Sequence, residues 1–352
     1  MTRSSKDSSG AAAPAVSAVV LAYRDEPWLE RCVHALLAST GVEVDVVLVD
    51  NGCTDGAVDR LASTSGIRVV RPGENLGFAG GCNAGAAVAT GEFLALINGD
   101  LVVESDALSE LVAFAAKPGI GIAQPSIRLS NDPSRLNSDG NEVHFLGYSW
   151  CGDFGKPAAI RTAPRSITSV MGAAMVLRRE LWDELGGFEA RYFAYHEDVE
   201  LSRRCWHRGL ELVNVPSAVV VHRYEFGREP SKIYLSERNR LLFVLTEYQP
   251  RTLLALALPI VVVELAALAG SAVTGTTREK VAGWWWLFRQ RRWIAQRRRQ
   301  LQSERVVSDA ELASLFATRL DAGNFPLPAW LEPLDVLLAV YWSIARRFLA
   351  RT

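Results

Sequence analysis

A carboxylate that follows a short apolar run is well placed to hold a metal ion. Asp100 ends the tripeptide Asn98-Gly99-Asp100, directly after the apolar run Phe93 to Ile97. Mg²⁺ and Mn²⁺ prefer oxygen ligands, typically one or two carboxylates with phosphates and water, and such an ion can neutralise a diphosphate leaving group. Taken alone, the tripeptide is more often an ordinary turn with a polar cap, so its meaning depends on its neighbours.

A second acidic group precedes a predicted helix, in the run Tyr195-His196-Glu197-Asp198-Val199-Glu200-Leu201. A carboxylate there can act as general base toward an acceptor hydroxyl. Adjacent acids at a helix N-terminus can equally be partners of the helix dipole. His222, after the apolar run Ala218 to Val221, also has two interpretations. A lone histidine is more often structural, but its neutral ring nitrogen can bind a metal.

Glycines are concentrated in the run Asn75 to Gly85. Glycine lets the backbone approach a ligand closely, because it has no Cβ. The same composition is also typical of a helix that packs tightly on a sheet. The spacing is not GxGxxG, so the run resembles a dinucleotide-binding loop only loosely.

Short apolar runs alternate with segments of helical periodicity over the first two thirds of the chain. The strands are predicted at 17–22, 44–49, 67–70, 93–97, 120–123, 170–177, 212–215 and 218–221. The helices are predicted at 28–37, 78–89, 105–116, 179–185 and 199–208. This alternation predicts right-handed βαβ units and a mainly parallel α/β sheet flanked by helices. Ligands bind outside the carboxyl ends of such strands, where Asp50 and Asp100 would face one crevice.

Composition limits the class of protein. The chain has 352 residues, of which 49% are hydrophobic, which allows a large core and two domains. Its net charge of -1 does not favour a general polyanion binder. The five cysteines form no CxxC pair, so buried thiols are expected rather than a disulfide framework or a zinc site. Residues 1–15 lack the apolar segment of a secretory signal, and a disordered leader is predicted there.

Taken in order, these segments resemble glycosyltransferase family 2, which has the Rossmann-like GT-A fold. The resemblance is to its rhamnosyltransferase and galactofuranosyltransferase branch and covers about residues 16–225. It is carried by segments that each match weakly and together match strongly: Val19 to Tyr23, Val49 to Asp55, Asn75 to Gly85, Asn98 to Asp100, Gly172 to Met175, Gly186 to Phe188, His196 to Leu201 and Val221-His222. A catalytic domain over residues 16–227 and a helical region over residues 228–352 are therefore expected.

The resemblance implies roles for individual residues. Asp198 would be the general base and Glu197 its acidic neighbour, while Asp100 and His222 would hold Mn²⁺ or Mg²⁺. The donor, a uridine or thymidine diphosphate sugar, would contact Tyr23, Asp50, Asn51, Asp55, Gly80, Asn83, Asn98 and Asp100. The acceptor side would include Trp150, Gly172 and Ala173.

Two positions depart from the family pattern. The first residue of the metal motif is usually an acid, and here it is Asn98, so one carboxylate is missing. The first strand usually ends in Tyr-Asn, but here Tyr23 is followed by Arg24. The implied reaction is a single in-line displacement that inverts the anomeric carbon, with Asp198 taking the acceptor proton.

The last third of the chain changes in composition. The segment Leu253 to Val273 is almost wholly apolar and, as a helix of about 32 Å, could span a bilayer. Glu264 near its middle and basic residues on both sides argue against a span. The run from Trp284 to Trp293, which combines four tryptophans and Phe288 with three arginines, suits a lipid headgroup interface. We expect peripheral or monotopic attachment to the cytoplasmic face of the cell membrane, although a true span, a buried core helix or a contact between copies would also fit the composition.

Membrane attachment would suit a glycan or polyprenyl-diphosphate-linked acceptor in the synthesis of cell-wall or surface polysaccharide. The tryptophan-rich context of the arginines from Arg289 to Arg299 favours lipid over nucleic acid. A nucleotidyltransferase would need a Gly-rich basic loop after the first strand, which Tyr23-Arg24-Asp25-Glu26 does not supply. The motifs are also compatible with an inactive scaffold of the same fold or with an enzyme that acts on a soluble acceptor. The sequence does not decide the sugar, the linkage or whether the chain forms a homo-oligomer.

Overall fold

A mixed, mostly parallel sheet forms the centre of the molecule in this computed structural model, which describes residues 12–224, 230–321 and 332–350. Its strands are β1 (Ala15–Arg24), β2 (Glu43–Cys53), β3 (Ile67–Val70), β4 (Phe93–Asn98), β5 (Leu101–Val103), β6 (Ile120–Leu129), β7 (Asp132–Ser138), β10 (Arg165–Ser166), β11 (Ala174–Arg178) and β12 (Glu211–His222). A separate two-stranded sheet pairs β8 (Asn141–Val143) with β9 (Ser149–Cys151). Residues 1–11 of the leader predicted over 1–15 lie outside the described residues, and its last residue, Ala15, is the first of β1. The predicted boundary at residue 227 falls within 225–229, which also lie outside the described residues.

Strand order in the main sheet is β10-β12-β6-β11-β4-β1-β2-β3, with β5 paired to β12 and β7 paired to β6. The pairs β2–β3, β1–β2, β1–β4 and β6–β12 are parallel, as the alternating sequence pattern predicts. Strand β11 is antiparallel to both β4 and β6 and joins the two parallel parts. The GT-A-like α/β class predicted from the sequence is confirmed.

Helices cover both faces of the sheet and bury its apolar side chains. One face carries α1 (Leu29–Leu37), α2 (Ala57–Leu61) and α4 (Ala107–Ala115), and the other carries α3 (Gly77–Ala86), α5 (Arg179–Leu185) and α6 (Glu197–His207). The strands that lie between these layers are apolar on both sides, which is why they appear in the sequence as continuous apolar runs.

Helix α3 packs unusually close to the sheet, and its glycines allow this. A Cβ atom at Gly81 would lie 2.7 Å from Leu21 Cδ2. A Cβ atom at Gly85 would overlap Val19 Cγ1 and lie 2.8 Å from Val49 Cγ2. These two glycines therefore serve helix packing, the plainer of the two interpretations of the run.

The last third of the chain is helical: α7 (Pro230–Glu247), α8 (Pro250–Thr274), α9 (Thr277–Arg289), α10 (Arg291–Glu304) and α11 (Glu332–Leu349). Helices α7, α8 and α11 share a core with α6 and the segment that joins β8 to β9, in which the Trp342 ring is fully buried and stacks on Phe145 at 5.0 Å between centroids. Helix α11 lies within the helical region expected over residues 228–352, for which the sequence analysis gives no separate bounds. In the part of the chain that the structure describes, only α8 is long and apolar enough to cross a membrane, judged by length and composition alone.

We expect Gly85→Ala to destabilise the protein by ~1–3 kcal/mol, because the new methyl group must displace Val19 and Val49 from a close-packed core. Gly270→Ala is the matched control, since it is also a helical glycine but a Cβ there meets no atom within 4 Å. That substitution should be neutral or stabilising by up to ~1 kcal/mol. Chemical denaturation of both variants measures the difference, and equal free energies of unfolding would contradict this account of the α3 packing.

Candidate active site

A cleft of about 450 Å³ opens at the carboxyl ends of β1, β2 and β4, where a parallel sheet binds its ligands. The side chains around it come from strand ends, the start of α3, the loop before α6 and the start of α7. They are Leu21, Tyr23, Arg24, Glu26, Asn51, Asn75, Gly77, Phe78, Asn98, Gly99, Asp100, Phe193, Ala194, Tyr195, Ser231 and Leu235. Four residues assigned to donor binding from the resemblance, Tyr23, Asn51, Asn98 and Asp100, are therefore part of one cavity.

Asp100 and His222 are brought together by the pairing of two strands. Strand β5 runs antiparallel to β12 with Leu101 opposite His222, so the residue before Leu101 lies beside the histidine. His222 Nε2 is 3.2 Å from Asp100 Oδ2, and His222 Nδ1 is 2.6 Å from Asn137 Oδ1. Because an amide oxygen only accepts, Nδ1–H donates to Asn137, and this bond orients the ring with its Nε2 toward the Asp100 carboxylate.

The groups around Asp100 fit a divalent cation. Asp100 Oδ1 and Asn98 Oδ1 are buried and have no hydrogen-bond partner among the described residues. Oxygen atoms left this way are costly unless a cation, water or substrate contacts them. Within the described residues no three His, Cys, Asp or Glu side chains converge on one point. A cation held here would take few ligands from the protein and the rest from phosphate and water.

Glu26 and Arg223 are two further charged residues at this site, and neither was assigned a role from the sequence. Burial raises the pKa of the Glu26 carboxyl, and the nearby Asp100 charge raises it further. Arg223 Nη1 lies 3.4 Å from Glu26 Oε1, and its backbone N–H donates to the Asp100 carbonyl at 2.9 Å. Glu26 was visible as an acid just after the first strand, but only the fold shows that it lies near Asp100.

Asp198 is held in one orientation by three donors. Its Oδ2 accepts from the Gly172 N–H at 2.8 Å and from Asn141 Nδ2 at 3.3 Å. Its Oδ1 accepts from the Val199 N–H at 2.8 Å. Asp198 lies beside the cleft next to Phe78, since a Cβ atom at Gly172 would be 3.4 Å from Asp198 Oδ2 and 3.3 Å from Phe78 Cε1. Gly172 and Ala173 thus adjoin the carboxylate, whereas Trp150 is buried on β9 outside the cleft lining.

The two acids at the start of α6 have different surroundings. Burial raises the pKa of Glu197 well above its ordinary value, the negative charge of Asp198 raises it further, and its Oε2 has no partner among the described residues. Burial also raises the pKa of Asp198, but hydrogen bonds from Gly172, Val199 and Asn141 favour its charged form. Of the pair, Asp198 is therefore the one suited to accept a proton near neutral pH.

Several predicted donor-binding residues have other partners in the structure. Asp50 Oδ2 is 2.8 Å from Arg71 Nη1, and Asp55 Oδ1 accepts from the Ala57 N–H at the start of α2. The Asn83 side chain pairs with both the N–H and the carbonyl of Phe188. A Cβ atom at Gly80 would lie 2.8 Å from Leu76 Cβ. None of these four residues lines the cleft, so their contacts with a donor stay predictions.

Asn51 shapes the cleft through the loop before α3. Its Oδ1 accepts from the Leu76 N–H at 2.9 Å, and its Nδ2 donates to Asn75 Oδ1 and the Gly77 carbonyl, both at 3.1 Å. These bonds fix the backbone on which Gly77 and Phe78 face the cavity. In the structure, Asn51 therefore positions the loop that lines the cleft.

Comparison with known proteins agrees with this architecture. The sequence model of the glycosyl transferase family 2 matches residues 17–186. An N-acetylglucosaminyl-diphospho-decaprenol L-rhamnosyltransferase of Mycobacterium tuberculosis is 30% identical over 257 aligned residues, and the match covers 64% of this chain and 82% of that protein. The chain belongs to glycosyl transferase family 2. This family 2 glycosyltransferase is also 29% identical over 240 residues to the O-antigen biosynthesis protein RfbC of Myxococcus xanthus, covering 62% of the chain and 18% of that protein.

Solved structures show the same fold at low sequence identity. GalNAc-T7, crystallised with UDP, GalNAc and Mn²⁺, superposes with a TM-score of 0.57 at 17% identity, over 77% of this chain and 55% of its own. The mannosyltransferase PcManGT from Pyrobaculum calidifontis, in complex with GDP-Man and Mn²⁺, gives a TM-score of 0.50 at 19% identity, over 96% and 87% of the two chains. The GT-A fold of this family 2 glycosyltransferase is thereby confirmed.

The pH dependence of transfer should show the raised pKa of Asp198. A general base must be unprotonated, so kcat/KM should fall by about tenfold per pH unit once the pH drops below that pKa. This acid limb should lie above the ordinary range of an aspartate, because burial disfavours the charged form. Asn141→Ala removes a donor to Asp198 Oδ2 and should move the limb to higher pH. Identical profiles for wild type and variant would separate Asp198 from the proton transfer.

Proposed function

We propose that this family 2 glycosyltransferase transfers a sugar, with inversion, from a UDP- or dTDP-sugar to a hydroxyl of a glycan or polyprenyl-diphosphate-linked acceptor. The observation that carries the proposal is that two acidic residues with different hydrogen-bond partners, Asp198 and Asp100, lie beside the same cleft. Asp198 is oriented by backbone and amide donors, and Asp100 faces His222 with an unpaired oxygen. The first suits proton abstraction and the second suits the diphosphate end of a donor.

A divalent cation, Mn²⁺ or Mg²⁺, would be held by Asp100 and His222 with Asn98 beside them. When bound, the ion would neutralise charge on the departing diphosphate. The residues of the chain supply the rest: Asp198 would take the acceptor proton, and Gly172 would keep its carboxylate in place. Phe78 and Tyr195 would exclude water from the cavity that they line. The rhamnosyltransferase relative, named for a diphospho-decaprenol acceptor, supports an acceptor of that class.

Asp198→Asn should lower the rate of transfer by at least about a hundredfold, the usual scale of general-base catalysis, because an amide cannot take the acceptor proton. Donor binding should be nearly unchanged, since the substitution keeps the shape of the side chain. A panel of nucleotide sugars, assayed for transfer and for donor hydrolysis with Mn²⁺, with Mg²⁺ and with chelator, identifies the donor first. Asp183→Asn, on the exposed surface of α5, is the control substitution. Unchanged turnover of the Asp198 variant would remove it from the base role, and no binding of any nucleotide sugar would favour an inactive scaffold.

We also propose that α8 and α11 attach the enzyme to a membrane surface. Their outward side chains are large and apolar, with Leu254, Leu258 and Leu265 on α8 and Leu337 and Phe348 on α11 each at least 60% exposed. The two helices are in contact, and the Tyr341 hydroxyl donates to the Ala255 carbonyl. Contiguous apolar surface of this kind marks an interaction site on a soluble protein.

Glu264 explains how an apolar helix with a central acid can serve this purpose. Its carboxylate binds Arg240, accepts from Trp284 Nε1 at 2.7 Å and lies 3.2 Å from Lys280 Nζ. Lys280 and Arg240 in turn contact Glu237, so two acids and two bases balance within the protein. One face of α8 is therefore tied to α7 and α9, which favours an in-plane arrangement over a span through lipid.

The tryptophans of α9 and α10 divide between two roles. The Trp284 indole N–H donates to Glu264. The guanidinium of Arg238 lies over the Trp286 ring, and that of Arg191 lies over the Trp293 ring. Trp285 and Phe288 are the two aromatic side chains of this run that are more than half exposed. Fewer aromatic side chains than the sequence suggested are thus available to lipid, and they adjoin the exposed arginines Arg289, Arg291 and Arg292.

Leu258→Glu combined with Leu337→Glu should reduce binding to vesicles containing anionic lipid by at least about tenfold, because each change removes an apolar contact with lipid and adds a negative charge. Ile160→Glu, an exposed apolar residue of the catalytic domain, is the matched control and should bind as wild type does. Co-sedimentation measures the bound fraction. Analytical ultracentrifugation without lipid tests whether a second copy of the chain covers this face instead. Vesicle binding that is equal for all three proteins, or a wild-type dimer that both substitutions dissociate, would overturn the membrane proposal.

A further inference from the structure

The loop before α6 has an unfavourable backbone conformation. Among the described residues, five that are not glycine have a positive φ, and three of them lie in this loop: Phe193 at 65°, Tyr195 at 69° and His196 at 70°. Side-chain-bearing residues rarely adopt this region, because Cβ approaches the carbonyl oxygen. Such a cluster persists only where the surroundings impose it, and it is typical of ligand-binding segments.

This loop connects three parts of the active site. Phe193, Ala194 and Tyr195 line the cleft. The Phe193 carbonyl accepts from the Ala79 N–H of α3 at 3.0 Å, so the loop also holds the start of the glycine-rich helix. Asp198 follows two residues after the last strained position. A shift of the loop would therefore displace the lining of the cavity and the general base together.

Two adjacent residues of α7 impose the conformation. Asn239 is fully buried, and its Nδ2 donates to the carbonyls of Tyr192 at 2.9 Å, Ala194 at 2.8 Å and Tyr195 at 2.7 Å. Arg238 Nη2 donates to the carbonyls of Arg191 at 2.9 Å and Tyr192 at 2.8 Å. Arg238 Nε also donates to Asn239 Oδ1 at 2.8 Å, which fixes the amide with its NH₂ group toward the loop.

The turn of α7 that contains Arg238 and Asn239 is held in place by the other C-terminal helices. The residues on either side of the pair, Glu237 and Arg240, contact Lys280 of α9 and Glu264 of α8. The Arg238 guanidinium lies over the Trp286 ring of α9 at 4.5 Å from its centroid. The same turn of α7 therefore contacts the active-site loop through Arg238 and Asn239. It contacts α8 and α9 through Glu237, Arg240 and the guanidinium of Arg238.

We infer that Arg238 and Asn239 are positioning residues, which hold the loop from Arg191 to His196 in the conformation that the reaction requires. The C-terminal region then completes the active site in addition to its proposed contact with lipid. This inference rests on the proposed function for its catalytic consequence. The hold on the loop itself can be measured without activity.

Asn239→Asp tests the inference, because it keeps the size of the side chain but places a carboxylate without N–H donors against three carbonyl oxygens. We expect faster amide hydrogen exchange over residues 191–198 and at the start of α3. We also expect kcat to fall by about tenfold or more with a smaller change in KM, since sub-ångström displacement of catalytic groups has effects of this size. Arg238→Lys, a milder change that keeps the charge, should act in the same direction to a smaller extent.

Asn214→Asp is the matched control. Asn214 is also fully buried, and its Nδ2 donates to a single carbonyl, that of Pro125, at the far end of β12 from His222. The Asn214→Asp variant should have a lower melting temperature than the wild type. At a temperature where both proteins are folded, its amide exchange over residues 191–198 and its kcat should equal those of the wild type. Equal effects of Asn239→Asp and Asn214→Asp on loop exchange and on kcat would overturn the inference. Faster loop exchange in the Asn239→Asp variant with an unchanged kcat would also overturn it. If the wild type transfers no sugar at all, the proposed function fails, and the exchange experiment still decides whether Asn239 holds the loop.

Discussion

The backbone of Gly172 and Ala173 joins the two halves of the catalytic site. The Gly172 N–H donates to Asp198, and the Ala173 carbonyl accepts from the Asn98 N–H at 2.8 Å. Because β11 begins at the next residue and runs antiparallel to β4, the sheet itself sets the distance between Asp198 and the turn from Asn98 to Asp100. Gly172 has no side chain that would separate Asp198 from Phe78, so the geometry of the site depends on this one turn of backbone.

A second constraint comes from charges that are buried between the C-terminal helices. Glu264 would oppose the burial of α8 if it stood alone, since an unpaired carboxylate is costly away from water. Arg240 and Lys280 neutralise it, and the resulting cluster fixes α7 against α8 and α9. Helix α8 therefore has one face bound to the protein, through the charges on Glu264 and the buried Leu256 side chain, and one apolar, exposed face. The same fixed helix α7 supplies Arg238 and Asn239 to the loop beside the cleft.

Most of what could be predicted about the fold and the candidate site came from the order of the sequence motifs. Alternating apolar runs predicted the parallel strands, because strands that are buried on both faces must be apolar throughout. The family resemblance added roles for Asp100, His222 and Asp198, and the structure places Asp100 beside His222 and Asp198 beside the cleft. No strand or helix is predicted over segment 128–167, because β7 to β10 are mostly short and polar and lack the continuous apolar run of the central strands. Asn137 and Asn141 lie there, and nothing local distinguishes them from loop asparagines.

The sequence by itself determined the class of fold, the family and the two acidic groups, because these depend on local periodicity and on short motifs. The tertiary structure alone decided which residues meet. It placed Glu26 and Arg223 next to Asp100, and it gave Asn83 and Asp50 partners outside the cleft. It also set Asn239 against a loop 43 to 48 positions earlier in the chain. Such contacts join residues with no common sequence pattern, since hydrogen bonds between distant segments depend on packing that periodicity does not encode.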